Sequence, residues 1–124
     1  EINRGLPANY LVKYFEKAGT EWQLKPVVRD KVKFEQLNLV KAWPLLPTFD
    51  VIMLRNVMIY FDVEAKKQIL AKLNRQLHGD GYLFLGGAET TMGLVDSFRR
   101  MQFEQAGCYC KTDAPSAFNA KGAA

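Results

Sequence analysis

The chain has 124 residues, enough for one domain and too few for two. Hydrophobic residues make up 48% and charged residues 24%, which excludes a disordered chain, and no apolar run approaches the roughly 20 residues of a membrane-spanning helix. The 17 basic residues exceed the 13 acidic ones, but they fall in short, separated groups such as Lys66 and Lys67 or Arg99 and Arg100, so a solvated basic surface is expected rather than a nucleic-acid interface.

In chain order, Leu6, Tyr10, Leu11 and Tyr14 recur at helical spacing and predict a short helix over residues 7–15. Residues 14–16 and 21–24 flank the turn-formers Ala18, Gly19 and Thr20 and predict a β-hairpin, the core of a small subdomain over residues 12–25. Pro26 opens a helical turn. Val32, Phe34 and Leu37 then suggest a strand in VKFEQLNL, residues 32–39. The two prolines of VKAWPLLPT make a loop. The apolar run of residues 51–54 in FDVIMLRN is what a strand covered on both faces looks like. The clearest helix spans residues 63–77, with Asp62 placed to cap it, Glu64 in its first turn, and Ile69, Leu70, Leu73 and Leu77 as its buried stripe. HGDG ends that helix and leads into the buried strand GYLFLGG. FRRMQFE and GCYCKT read as two strands joined by Gln105, Ala106 and Gly107, and the tail from residue 113 onward is expected to fray. The fold class is therefore α/β: a sheet over residues 32–112 with a parallel centre and an antiparallel last pair.

Ligands of open α/β sheets bind beyond the carboxyl ends of the strands. Three such ends are candidates: Asn38 and Leu39, Arg55 and Asn56, and Gly86-Gly87-Ala88-Glu89. Parallel strands would put all three on one edge. The Asn38 carboxamide, with the Leu39 backbone beside it, could read an adenine edge or simply form a turn. A guanidinium at Arg55, just after a buried strand, is costly unless it finds an anion or carbonyl groups. Tyr60 could place its hydroxyl in the cleft or pack against the helix. His78 reads as an exposed turn residue. Cys108 and Cys110 share one strand face and lack further metal ligands, so no metal is expected. Two cysteines make no disulfide scaffold, and the first ten residues carry no signal-peptide pattern, which points to a reducing, cytoplasmic setting.

The run VKFEQLNL…WPLLPTFDVIMLRNVMIYFD…ILAKLNRQLHGDGYLFLGGAE closely resembles the chemotaxis-receptor methyltransferases, the CheR family, and so does RGLPANYLVKYFEKAG upstream of it. The likeness covers about residues 3–111, and FDVIMLRNVMIYFD is its most specific part. The resemblance implies a Rossmann-like domain that uses S-adenosylmethionine, releases S-adenosylhomocysteine, and methylates glutamate side chains of methyl-accepting chemotaxis receptors. It assigns adenine contact to Asn38 and Leu39, cofactor contact to Arg55 and Asn56, and a place near the methyl donor to Tyr60. The hairpin would match a subdomain that, in some members, tethers the enzyme to a receptor peptide. Where family members commonly carry GHSE, this chain has Gly86-Gly87-Ala88-Glu89. The family's first strand with its glycine loop, and its second strand with a ribose-binding acid, have no counterpart in these residues, so the chain reads as the C-terminal half of such an enzyme. Weak cofactor binding and no activity are expected of it alone.

A glutamate is already an anionic nucleophile at neutral pH, so methyl transfer to it needs no general base. Arg55 and Tyr60 are then positioning groups for the reacting carboxylate. The family's sheet order, 3-2-1-4-5-7-6, makes DVIMLRN the fourth strand and leaves it an exposed apolar edge here, open to strand exchange or dimerisation. Two other readings compete with an enzyme: a non-catalytic module that binds a receptor peptide, and a structural α/β domain whose apparent site residues serve packing.

Overall fold

The computed structural model describes residues 4–103 and 106–113. Position 105 of the expected turn and the expected tail from residue 114 onward lie outside the described residues. The chain divides into two compact units, residues 1–37 and residues 38–124.

The first unit holds a helix α1 (Ala8–Tyr14), a hairpin of β1 (Phe15–Ala18) and β2 (Glu21–Leu24), and one helical turn α2 (Pro26–Arg29). Pro7 precedes α1 with φ −58°, a value already suited to entering a helix. Tyr10 and Tyr14, one turn apart, stack with ring centroids 5.9 Å apart. Lys25 Nζ donates to the Lys13 carbonyl at 2.9 Å, which satisfies one of the orphan acceptors at the end of α1. Ala18 pairs with Glu21, so the hairpin loop is only Gly19 and Thr20, and Ala18 belongs to the strand rather than to the turn. Gly19 has φ +64°, the conformation that a two-residue hairpin loop demands of its first residue and that glycine adopts without a Cβ clash.

The strand expected at residues 32–39 does not form, and Val32 and Phe34 stand exposed. An alternating apolar pattern becomes a strand only when a neighbour pairs with it, and no described segment does so.

The second unit holds β3 (Phe49–Leu54), a 3₁₀ turn (Met58–Tyr60), α3 (Val63–Gln76), β4 (Leu77–Leu85), β5 (Phe98–Phe103) and β6 (Ala106–Lys111). The sheet order is β3-β4-β6-β5. β3 and β4 run parallel, while β6 is antiparallel to both β4 and β5. This is the 4-5-7-6 end of the order that the resemblance implies. Ala106 and Gly107, expected in the last turn, begin β6 instead.

α3 forms as its caps dictate. Asp62 Oδ1 accepts from Ala65 N at 2.8 Å, and Glu64 lies in the first turn. Ile69, Leu70 and Leu73 are buried, each worth about 2 kcal/mol of removed apolar surface. They pack with Leu83 and Leu85 of β4, and Ile52 and Leu54 of β3 lie against this cluster. The helix ends at Gln76, one residue early, and HGDG is not a turn. It lies within β4, where a step of two residues on β3 is matched by five on β4 between the pairs Phe49–Leu77 and Val51–Tyr82.

β3 is not covered on both faces. Val51 and Met53, side by side with Tyr82 and Phe84, are exposed at 50% and 72%. α3 covers one face of the parallel pair, and β3 is the sheet's edge strand, the apolar edge foreseen from the sheet order. Among the described residues, no helix is long and apolar enough to cross a membrane.

Candidate functional site

Because β3 and β4 are parallel, their carboxyl ends meet at one rim of the sheet. Beyond β3 the chain turns at Asn56, whose φ of +59° is a left-handed conformation that asparagine tolerates better than most residues. The turn aims the next three backbone N–H groups inward, and a carboxylate receives them. Glu89 Oε2 accepts from Asn56 N at 2.8 Å, and Oε1 accepts from Val57 N at 2.9 Å and Met58 N at 2.7 Å. A fourth N–H, that of Gly86 at the end of β4, donates to Oε2 at 2.6 Å. Successive N–H groups arranged in this way form an anion-binding nest, and here the anion is a side chain of the same chain.

Glu89 is 8% exposed. Its burial alone would raise the carboxyl above its ordinary value, but the hydrogen bonds from Gly86, Asn56, Met58 and Val57 outweigh that and hold it below. Gly86 makes the approach possible. A Cβ there would lie 2.7 Å from Glu89 Oε2 and 2.8 Å from Asn56 N, closer than any real side chain comes.

Around this anchor lies a concavity of about 660 Å³, lined by Met53, Arg55, Phe84, Arg100, Tyr109 and residues 85–90, among others. Arg55 is exposed and has no partner among the described residues. The cost expected for a guanidinium after a buried strand is not incurred, because the strand end opens to solvent. Arg55, Asn56 and the 86–89 segment are thus brought together, as their places at the strand ends predict.

Asn38 and Leu39 lie elsewhere. Asn38 Oδ1 accepts from Val40 N at 3.0 Å and Lys41 N at 3.1 Å, the turn-forming alternative. The Leu39 carbonyl accepts from Trp43 Nε1 at 3.2 Å and Lys72 Nζ at 2.9 Å. Lys72 also donates to the carbonyls of Val40 at 2.8 Å and Lys41 at 2.7 Å, with its ammonium 5.6 Å from the Trp43 ring. These bonds hold the 38–43 loop to the second half of α3. With no strand at 32–39, no strand end carries Asn38 to the rim, and neither it nor Leu39 lines the concavity. Tyr60, in the 3₁₀ turn, is 81% exposed and does not line it either.

Sequence reasoning placed Glu89 at the rim, within the 86–89 segment, but missed its role as the acceptor of four backbone N–H groups. The available signal was a glycine at the end of a buried strand with an acid three residues later. The remaining candidates are packing or surface groups. Cys108 and Cys110 are buried, with burial pushing the Cys108 thiol up, and Cys110 Sγ accepts from Arg99 Nε at 3.1 Å. His78 is exposed and paired with Asp80. No group of three metal-ligating side chains occurs among the described residues.

A protein-family model described as CheR methyltransferase, SAM binding domain, matches residues 1–106. Chemotaxis protein methyltransferase Cher2 of Pseudomonas putida is 40% identical over 102 residues, which is 82% of this chain and 37% of that protein. Chemotaxis protein methyltransferase 1 of Pseudomonas aeruginosa is 39% identical over the same shares, and the chemotaxis protein methyltransferase of Borreliella burgdorferi is 37% identical over 71% of this chain and 32% of its own length. The chain spans about a third of the length of these curated relatives. A match of this extent, on an α/β sheet in the expected strand order, means that the chain belongs to the CheR methyltransferase family, within its SAM-binding domain.

Proposed function

We propose that the protein carrying this chain transfers a methyl group from S-adenosylmethionine to glutamate carboxylates of chemotaxis receptors, in the cytoplasm. On this reading the chain supplies part of the cofactor site and the residues that position the acceptor. The supporting observation is a guanidinium, Arg55, with no partner among the described residues, on the wall of a concavity beyond the carboxyl ends of two parallel strands.

The residues present fit such a cofactor. The concavity falls within the roughly 300–1,000 Å³ of small-molecule sites. Its wall sets Met53 and Phe84 beside the Arg55 guanidinium, which suits a ligand with an apolar body and an anionic end. Arg55 would hold it there; Asn56 does not line the concavity, and its cofactor contact rests on the family resemblance. Asn38 keeps its carboxamide NH₂ without a partner among the described residues, because the turn engages only the oxygen; it and Leu39 lie outside the concavity, so their adenine contact rests on the family resemblance alone.

When bound, the cofactor supplies a methyl group on a positively charged sulfur. The acceptor glutamate needs no proton removed, since its ordinary pKa of about 4.3 leaves it ionised at neutral pH. The chain's work is therefore orientation. Arg55 can hold a carboxylate through two parallel N–H groups. Tyr60, two residues before the cap of α3 and exposed outside the concavity, would donate its hydroxyl to an acceptor that approaches from solvent.

The test is calorimetry with S-adenosylhomocysteine, together with transfer of labelled methyl to receptor cytoplasmic domains, both on the intact protein. Arg55→Ala is expected to lose about tenfold or more in affinity, whereas Tyr60→Phe lowers turnover more than affinity. An unsubstituted protein that binds no S-adenosylhomocysteine and forms no base-labile methyl esters refutes the assignment.

A further inference from the structure

We infer that Glu89 is a positioning residue of the cofactor site: its carboxylate, clasped by four backbone N–H groups from two strand ends, sets the path of residues 55–58 and so the place of Arg55. The inference rests on the functional reading given above and goes beyond it, because the 86–89 segment has no role in that reading.

Glu89 lines the same concavity as Arg55, which raises the alternative that it is an acid or base, or a ligand contact. Its hydrogen bonds decide against this. Each oxygen already accepts two N–H bonds, Oε1 from Val57 and Met58 and Oε2 from Asn56 and Gly86, all between 2.6 and 2.9 Å. Two oxygens offer about four acceptor sites, so the carboxylate is saturated. A saturated carboxylate has no oxygen to offer a ligand and no reason to take a proton at neutral pH. It also does not pair with Arg55, which has no partner among the described residues although an acid lines the same concavity.

The bonds hold a conformation that would not persist by itself. Asn56 is left-handed, and its N–H, with the two that follow, converges on one point. Without an acceptor these donors would be left unpaired close to the core, since Met58 is 1% exposed. The chain would relax toward water and take Arg55, the adjacent residue, with it. Gly86 ties the same carboxylate to the end of β4, so the two strand ends that form the rim are fixed to one another through a single side chain. Asn56, Gly86 and Glu89 act as one unit.

Glu89→Gln in the intact protein tests this. The amide keeps one acceptor oxygen and turns an NH₂ against N–H donors. The expected result is a KM for S-adenosylmethionine raised about tenfold, a matching loss of S-adenosylhomocysteine affinity by calorimetry, and a lower kcat as well, because Arg55 also positions the acceptor. Partial unfolding would lower apparent kcat through fewer active molecules but leave KM alone. Glu89→Asp, which keeps the charge, should recover part of the affinity. Should Glu89→Gln not fold, amide exchange of the unsubstituted protein gives the answer: S-adenosylhomocysteine should slow exchange at residues 56–58 about tenfold or more. Unchanged KM in Glu89→Gln, or unchanged protection at residues 56–58, overturns the positioning role while leaving the methyltransferase reading intact. Failure of the unsubstituted protein to bind S-adenosylhomocysteine overturns that reading, and the positioning role falls with it.

Discussion

Two loops of the larger unit are each held by one charged side chain, with opposite polarity. At residues 56–58 an anion, Glu89, gathers N–H groups; at residues 39–41 a cation, Lys72, gathers carbonyls. The difference lies in burial. Glu89 is 8% exposed and two of its bonds are fully buried, whereas Val40 and Lys41 are exposed and water competes for the carbonyls that Lys72 binds. A buried charge with saturated bonds allows one loop geometry, and a wet one tolerates several. The family site assigned by resemblance draws on both loops, with Arg55 beside the rigid one and Asn38 in the looser one.

The sharpest way to break the comparison is Glu89→Ala. It strands the N–H groups of Gly86 and Met58 away from water and should destabilise the protein by about 3 kcal/mol in urea unfolding. The effect is pH-dependent in a determined direction. The folded carboxyl titrates below its ordinary value, so its contribution is complete above that value and drains away as pH falls through the folded one. The stability gap between the parent and Glu89→Ala should therefore narrow below about pH 4. A gap that stays constant down to pH 3 would mean that hydrogen bonding to the ionised form is not what the residue contributes.

Lys72→Met should cost less, about 1 kcal/mol, because the carbonyls it releases can turn to water. Methionine keeps an unbranched stem beside Trp43, so the change isolates the ammonium. Amide exchange over residues 39–43 should quicken while α3 keeps its protection. Loss of protection in α3 as well would show that this loop supports the core rather than resting on it.

What could be read from the residues, and what could not, divides along the same line. α3 was legible because its determinants are local: Asp62 at the cap, Glu64 in the first turn, and a buried stripe at helical spacing. The hairpin was legible from Gly19, and β4 from its apolar run. The strand expected at residues 32–39 carried an equally plausible alternation, but a strand needs a neighbour, and alternation does not reveal whether one is supplied. β3 misled in a related way, since an apolar run reports that both faces suit burial and not that both are covered. Glu89 and Lys72 were beyond reach for another reason. Apart from Gly86, three residues before Glu89, their partners are backbone groups more than thirty residues away, and a backbone N–H or carbonyl has no residue identity to recognise. The family likeness, carried by FDVIMLRNVMIYFD, assigns cofactor contact to Arg55 without any need for the fold.

Asn38 gives the smallest expected change in stability and the cleanest separation of roles. Its carboxamide oxygen holds the turn by accepting from Val40 and Lys41, and its NH₂ is the group that the proposed adenine contact would use. Asn38→Asp keeps an oxygen in the turn and removes the donor. Stability should stay within about 0.5 kcal/mol of the parent, since aspartate serves such turns as well as asparagine does. S-adenosylhomocysteine affinity should nevertheless fall about tenfold, because an adenine ring nitrogen loses its donor and meets a carboxylate instead. The three substitutions then separate: Glu89→Ala moves stability and binding together, Lys72→Met moves stability and, through the loosened loop that carries Asn38, part of the binding, and Asn38→Asp moves binding alone. Unaltered affinity in Asn38→Asp would remove Asn38 from the cofactor site and leave it as the hinge of a loop that α3 holds in place.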